Sequence, residues 1–325
     1  MESINVAVII STYNGENFLL EQIHSILSQN YFQNKNCNFR IIIRDDGSTD
    51  KTVNILQDVQ KQYEQIEIVN DSLGNIGVIA SFFELLKKAK NYDVVFLSDQ
   101  DDFWHKDKVK KFLKLYDVKT QSNEVVGLYS DAWISDQNAT SIGIKMSEMY
   151  NWKEHPLSIG FLTWGFRITG ANYAINRKAV ETVLRISQQE MNSIAMHDAA
   201  IGLIVEIYGK NILINESLLN YRQHANNVVG AKGSSNNPFK RVRDVKKLIN
   251  SIILNNSAIY MFLERNGNGV SNNMLNHFKK YYVLMNSGSL QDKFKAMKKI
   301  KKDIWWKHKT VVLLFVFLTS RKAKK

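Results

Sequence analysis

Through the front of the chain, short continuous apolar runs alternate with segments whose apolar positions recur at helical spacing. VAVII (6–10) is followed by FLLEQIHSIL, in which Leu19, Ile23, Ile26 and Leu27 fall on one helical face. RIII (40–43) comes next, then a helix for which Ser48, Thr49 and Asp50 are capping candidates. IEIV (66–69), the helical IASFFELLKKA and DVVFLS (93–98) complete the series. Apolar runs of strand length separated by helices predict an α/β fold, a mostly parallel sheet covered by helices on both faces. No internal repeat interrupts this order, and GSSNNP (233–238) is the clearest linker.

In open sheets of this kind, ligands lie beyond the carboxyl ends of the strands. Here those ends are STYNGE (11–16), RDDGSTD (44–50) and SDQDD (98–102). All are polar, and two are carboxylate clusters. Crowded carboxylates repel one another unless a cation or hydrogen-bond donors compensate. Mg²⁺ does so with one or two protein carboxylates, leaving its other positions to phosphate oxygens and water. A metal diphosphate is therefore the expected ligand. The chain has neither a Walker A sequence nor a GxGxxG, which argues against a P-loop NTPase and a dinucleotide-dependent dehydrogenase. The same acids also admit local roles: Asp45 and Asp46 as turn residues, and Asp102 as the cap of a helix over FWHKDKVKKFLKLY.

Taken in order, VIISTYNGENFLLEQIHSILSQ, IIRDDGSTDKT, FLSDQDDFW, TGANYAINRKAV, MHDAAIGLIVEIYG and YRQHANNVVG resemble family 2 glycosyltransferases of the GT-A fold, the Rossmann-like nucleotide-diphospho-sugar transferases. The nearest likeness is to bacterial rhamnosyltransferases of cell-surface polysaccharide synthesis. It covers about residues 4–230 and fades in the tail. The resemblance implies inverting transfer from a nucleotide-activated sugar, dTDP-L-rhamnose or another donor such as a UDP-sugar, with Mg²⁺ or Mn²⁺ as cofactor and a lipid-linked glycan as acceptor. It assigns Ser11, Thr12, Tyr13, Asp45 and Asp46 to nucleotide binding and makes Asp99 and Asp101 the DxD that meets ribose and metal. His224 matches a late histidine that completes metal coordination. The extra acid in SDQDD leaves Asp102 as a second candidate beside Asp101.

The chemistry agrees with these assignments. Departure of a nucleoside diphosphate leaves negative charge that a metal neutralises as it develops. The sugar carbon becomes oxocarbenium-like, and a single inverting displacement needs one base on the acceptor hydroxyl. By the resemblance that base is Asp198. Without it, Asp198 would read as a helix N-cap, His224 as a structural histidine, and Trp164 and Phe166 as aromatic core in place of a sugar platform. A nucleotidyltransferase would use the same metal and carboxylates but free pyrophosphate, and a carbohydrate-binding protein that kept the fold would free neither product.

Composition adds a division of the chain. The 325 residues, 44% apolar, can bury one sizeable core with a smaller appended unit. The single Cys37 permits no intrachain disulfide, and without a secretory signal pattern the expected compartment is the reducing cytoplasm. From Lys240 onward twenty Lys and Arg face four acids, whereas the rest of the chain has 23 bases and 27 acids. Such a basic arm suits an anionic surface. TVVLLFVFLTS (310–320) is shorter than the about 20 residues a bilayer span needs. Flanked by WWKHK and RKAKK, with KFKAMKKIKK upstream, it suggests a monotopic attachment, the alternative being a docked helix with a basic outer face. Nucleic acid is not expected, since no recognition motif accompanies the charge. The expected organisation is a catalytic domain over 1–235 and a basic helical region over 236–325, peripheral on the inner face of the cell membrane.

Overall fold

The computed structural model of the chain describes residues 3–34, 36–119, 124–153, 157–164, 167–224 and 238–304. The four apolar runs become neighbouring strands, β1 (Ile4–Thr12), β2 (Cys37–Asp45), β3 (Ile66–Ile68) and β4 (Val94–Ser98). They pair in parallel in the order β3-β2-β1-β4. Residues Val6 to Ile10 and Val94 to Leu97 are fully buried, as strands covered on both faces must be. The connections are α1 (Leu19–Leu27), α2 (Thr52–Gln62) and α3 (Gly77–Lys88). In α1 the expected face is inward: Leu19, Ile23 and Ile26 are buried, while Leu20 is exposed.

Two local expectations are corrected. None of Ser48, Thr49 and Asp50 is the N-cap of α2, a position taken by Lys51. Asp50 Oδ1 accepts from Thr52 N (2.9 Å), but Ser48 and Thr49 bond to Asn14 of the neighbouring loop. Beyond β4 the chain first forms the short strand β5 (Phe103–Trp104), and the helix expected there, α4, spans only Lys108–Lys119. Asp102 is thus too far upstream to cap it.

The remaining elements of the first compact unit are β6 (Val125–Ser135), β7 (Ser141–Lys145), α5 (Met146–Met149), β8 (Tyr173–Asn176), α7 (Arg177–Val183) and β9 (Gly209–Arg222), where α6 (Ile159–Trp164), α8 (Gln188–Met191) and α9 (His197–Tyr208) belong to the second. Among the described residues they form a nine-stranded sheet, β3-β2-β1-β4-β8-β6-β9-β5, with β7 paired to β6. The turn 136–140 is too short for a crossover, so β6 and β7 are antiparallel. β8 is antiparallel to both β4 and β6, and β6 is parallel to β9. Two reversals restore the original direction. The carboxyl ends of β1, β2, β4, β6 and β9 therefore share one edge.

The second unit is helical, with α10 (Pro238–Asn266), α11 (Asn272–Asn286) and α12 (Leu290–Ile300) added to α6, α8 and α9. Trp164, Ile249, Ile253, Tyr281, Leu284, Ile300 and Ile304 form its core. Trp164 is accordingly core: its Nε1 donates to Tyr281 Oη (2.8 Å), which donates to Asp303 Oδ2 (3.0 Å), and Asp303 also pairs with Lys280. Phe166, most of the GSSNNP segment, WWKHK, the apolar run 310–320 and RKAKK lie outside the described residues. No helix among the described residues is long and apolar enough to cross a membrane.

Candidate active site

Register decides which residues meet at the carboxyl edge. Thr12 pairs with Asp45 and Ile10 with Ser98, so STYNGE, RDDGSTD and SDQDD leave the sheet side by side. β9 runs along β6 as far as Ser135↔Arg222 and delivers His224 to the same place. There His224 Nε2 lies 2.8 Å from Asp101 Oδ2, with both side chains partly open to solvent (12% and 18%). Residues 123 positions apart are brought into hydrogen-bond contact.

The first two loops are tied to the acid loop by side chains that sequence reasoning passed over. Gln100, between the two DxD acids, accepts from Thr12 Oγ1 (2.6 Å) and Tyr13 N (3.0 Å) and donates to the Tyr13 carbonyl (3.3 Å). Gly15 makes room for it, since a Cβ at that position would lie 2.5 Å from Gln100 Oε1 and 2.8 Å from Thr12 Oγ1. Asn14 N donates to Ser48 Oγ (2.9 Å), and Asn14 Oδ1 accepts from Thr49 N (2.8 Å). The only signals for these ties were a polar residue between two acids and a glycine within STYNGE. The Tyr13 backbone is held in this lattice while its side chain remains about half exposed, and Ser11 is half-buried.

The acids themselves divide. Asp45 Oδ2 accepts from Gly47 N (3.2 Å) and Ser48 N (2.9 Å), so this carboxylate builds its own turn, where Gly47 has φ +82°. Asp46 is buried: Oδ1 accepts from Arg44 (2.6 Å) and Ile76 N (2.8 Å), and Oδ2 from Gly77 N (2.8 Å). It holds the N-terminus of α3 more directly than it faces a ligand. Asp99 is half-buried at the end of β4. Asp102 lies beneath the edge, 1% exposed, with Oδ1 accepting from Arg222 N (3.0 Å) and no hydrogen-bond partner for Oδ2 among the described residues. Burial, reinforced by Asp101 and Asp99, pushes its carboxyl well above the usual range. Of the two candidate metal acids, only Asp101 meets the histidine.

Asp198 is the second residue of α9 and belongs to the second unit. It is half-buried, and its Oδ1 accepts from Ala199 N (2.7 Å). The segment entering this helix is pinned by the buried Asn255, whose Oδ1 accepts from Ala195 N (2.6 Å) and Met196 N (3.1 Å).

A carboxylate and an imidazole at one partly open point suit a divalent cation that takes its remaining ligands from phosphate and water. Among the described residues no group of three His, Cys, Asp or Glu side chains forms a closed protein cage. The Asp101–His224 pair by itself offers two side chains of metal-ligand type.

The sequence matches the Glycosyl transferase family 2 model over residues 7–184, and the chain belongs to this family. It is 28% identical over 267 residues to the dTDP-rhamnosyl transferase RfbG of Shigella flexneri, covering 75% of this chain and 84% of that protein. An uncharacterized glycosyltransferase of Nostoc sp. is also 28% identical, over 86% of this chain and 83% of its own. Among solved structures, the mannosyltransferase PcManGT from Pyrobaculum calidifontis, in complex with GDP-Man and Mn²⁺, matches with a TM-score of 0.58 at 13% identity, over 100% of this chain and 89% of that one. S. aureus TarS 1-349, in complex with UDP-GlcNAc, matches at 0.52 and 14% identity, over 99% and 90%. The fold is GT-A, and the protein is a glycosyltransferase.

Proposed function

We propose that the protein transfers L-rhamnose from dTDP-L-rhamnose, with inversion, to a lipid-linked glycan in cell-surface polysaccharide synthesis. The observation that carries this reading is the Asp101–His224 pair at the carboxyl edge, beside the loop that presents Tyr13. The match to a dTDP-rhamnosyl transferase supports the donor. Asp101 and His224 would hold Mg²⁺ or Mn²⁺, which neutralises the charge left on the departing diphosphate. Ser11, Thr12 and Tyr13 line the nucleotide side, Asp99 meets the ribose, and Asp45 and Asp46 shape and brace the adjoining loop. Asp198 removes the acceptor proton.

In this reading residues 1–235 act as the catalytic domain and 236–325 as a basic helical region that holds the enzyme at an anionic membrane surface. The outer face of α12 supports this: Leu290 is 58% exposed, and Lys295, Lys298 and Lys299 are exposed with it. Incubation of the full chain with a panel of sugar nucleotides and a polyprenyl-diphosphate-linked glycan tests the proposal. The expected product from dTDP-β-L-rhamnose is an α-L-rhamnoside, identified by NMR of its anomeric centre, and Asp198→Asn is expected to lose turnover while keeping donor affinity. Preference for a UDP-hexose overturns the donor, a β product overturns single displacement, and normal turnover in Asp198→Asn removes it as the base.

A further inference from the structure

The acid loop rests on a buried arginine that the proposed chemistry does not use. Arg222, the last residue of β9, is 1% exposed. Its main-chain N–H donates to Asp102 Oδ1 (3.0 Å) and its Nε to the Asp101 carbonyl (2.6 Å). One terminal nitrogen donates to the Gln137 carbonyl (2.5 Å) and the other to Glu21 Oε2 (2.5 Å). The guanidinium carbon lies 4.7 Å from the centre of the Phe18 ring, and that ring is 4.8 Å from the ring of His224.

These contacts converge on the Asp101–His224 pair from both sides. The rigid guanidinium fork holds the backbone of Asp101, and the Phe18 ring contacted by the guanidinium also contacts the imidazole. Glu21 and Phe18 lie at the start of α1, directly after STYNGE, so the same group couples the nucleotide loop to the acid loop. The guanidinium charge is paired with Glu21, so its hold on the acid loop is through the Asp101 backbone. A lysine could supply the charge but not the fork.

We propose that Arg222 is the positioning residue of the metal site. Oriented by Glu21 and Phe18, it presets the Asp101–His224 separation before cation and nucleotide arrive. This rests on the reading of Asp101 and His224 as metal ligands. Partners behind the ligands of a metal typically contribute about 10- to 100-fold in metal affinity, because they remove the need to organise the ligands during binding.

The test is titration of the full-length protein with Mn²⁺, alone and with dTDP, following free Mn²⁺ by electron paramagnetic resonance. Wild type, Asp101→Asn, Arg222→Lys and Glu21→Gln are compared. Asp101→Asn should abolish tight binding, and Arg222→Lys and Glu21→Gln should each weaken it about 10-fold or more. Glu21 is about half exposed (46%) and Gln can still accept from the guanidinium, so Glu21→Gln should keep the wild-type circular dichroism, and it decides the matter should Arg222→Lys fold poorly. Affinities within twofold of wild type in folded Arg222→Lys and Glu21→Gln overturn the positioning role while leaving the metal reading intact. Absence of tight Mn²⁺ binding in the wild type, or its persistence in Asp101→Asn, overturns the metal reading and the inference with it.

Discussion

Replacing Arg44 by Met tests whether the nucleotide edge is braced by a buried ion cluster. The guanidinium is 1% exposed and donates to Asp46 Oδ1 (2.6 Å), Ser81 Oγ (2.7 Å), the Gly74 carbonyl (2.7 Å) and Asp71 Oδ2 (2.8 Å). Met fills similar space but leaves the buried Asp46 carboxylate without its cation. Removing one partner of a buried pair costs roughly 3–5 kcal/mol. Asp46 keeps the N–H groups of Ile76 and Gly77, each at 2.8 Å, which places the expected loss near the lower end, about 3 kcal/mol. Arg44→Met combined with Asp46→Asn removes the stranded charge and should recover part of that loss. The assay is urea unfolding followed by near-UV circular dichroism, repeated as a function of pH. Arg44 holds the Asp71 carboxyl below its usual range by hydrogen bonding. A carboxyl depressed in the folded state contributes stability above its unfolded value, about pH 4, and loses it as pH falls through the folded value. Wild type and Arg44→Met should therefore differ most at neutral pH and converge in acid. A difference below about 1 kcal/mol at pH 7, or one that does not shrink on acidification, refutes the brace.

Three further outcomes are expected. Asp101→Asn should abolish transfer with an unchanged melting temperature, because it removes a ligand charge and not core packing, and excess EDTA should silence the wild type in the same assay. Gly15→Ala should displace Gln100 and release Tyr13, costing about 1–2 kcal/mol for the hydrogen bonds and raising the KM for donor; wild-type kinetics would show that the crowding at this position is relieved at no cost. His277 is partly buried against Thr163, and the loss of solvent, with Lys280 beside it, pushes the imidazole down to about 4 from 6.5. The unfolded chain then takes up a proton first as pH falls from 6.5 towards 4, so stability should decline by on the order of 2–3 kcal/mol across that window, and His277→Gln should flatten the decline in thermal scans.

The sequence alone determined the first half of the sheet and the family. VAVII, RIII, IEIV and DVVFLS became β1 to β4, and the periodic segments between them became α1 to α3, because strand and helix spacing are local properties of the pattern. The polar strand ends fell together at one edge of the sheet, and the ordered motifs identified the family. The two-residue β5 was invisible because so short a strand has no period to detect, and without it Asp102 looked like a helix cap.

What only the tertiary structure decided are the pairings between residues far apart in the chain. Asp101 meets His224 across 123 positions, Arg222 reaches Glu21 across 201, and Gln100 reaches Thr12 across 88. Neighbouring residues carry no trace of such partners. They arise from the strand order, in which two antiparallel pairings around β8 return β6 and β9 to the direction of β4 and place the end of β9 against the acid loop. Burial separates the acids in the same way. Asp101 and Asp102 are adjacent in sequence and chemically identical, yet in the bend between β4 and β5 one is turned to His224 at the open edge and the other is sealed on the backbone of Arg222, because their long-range partners on the end of β9 differ.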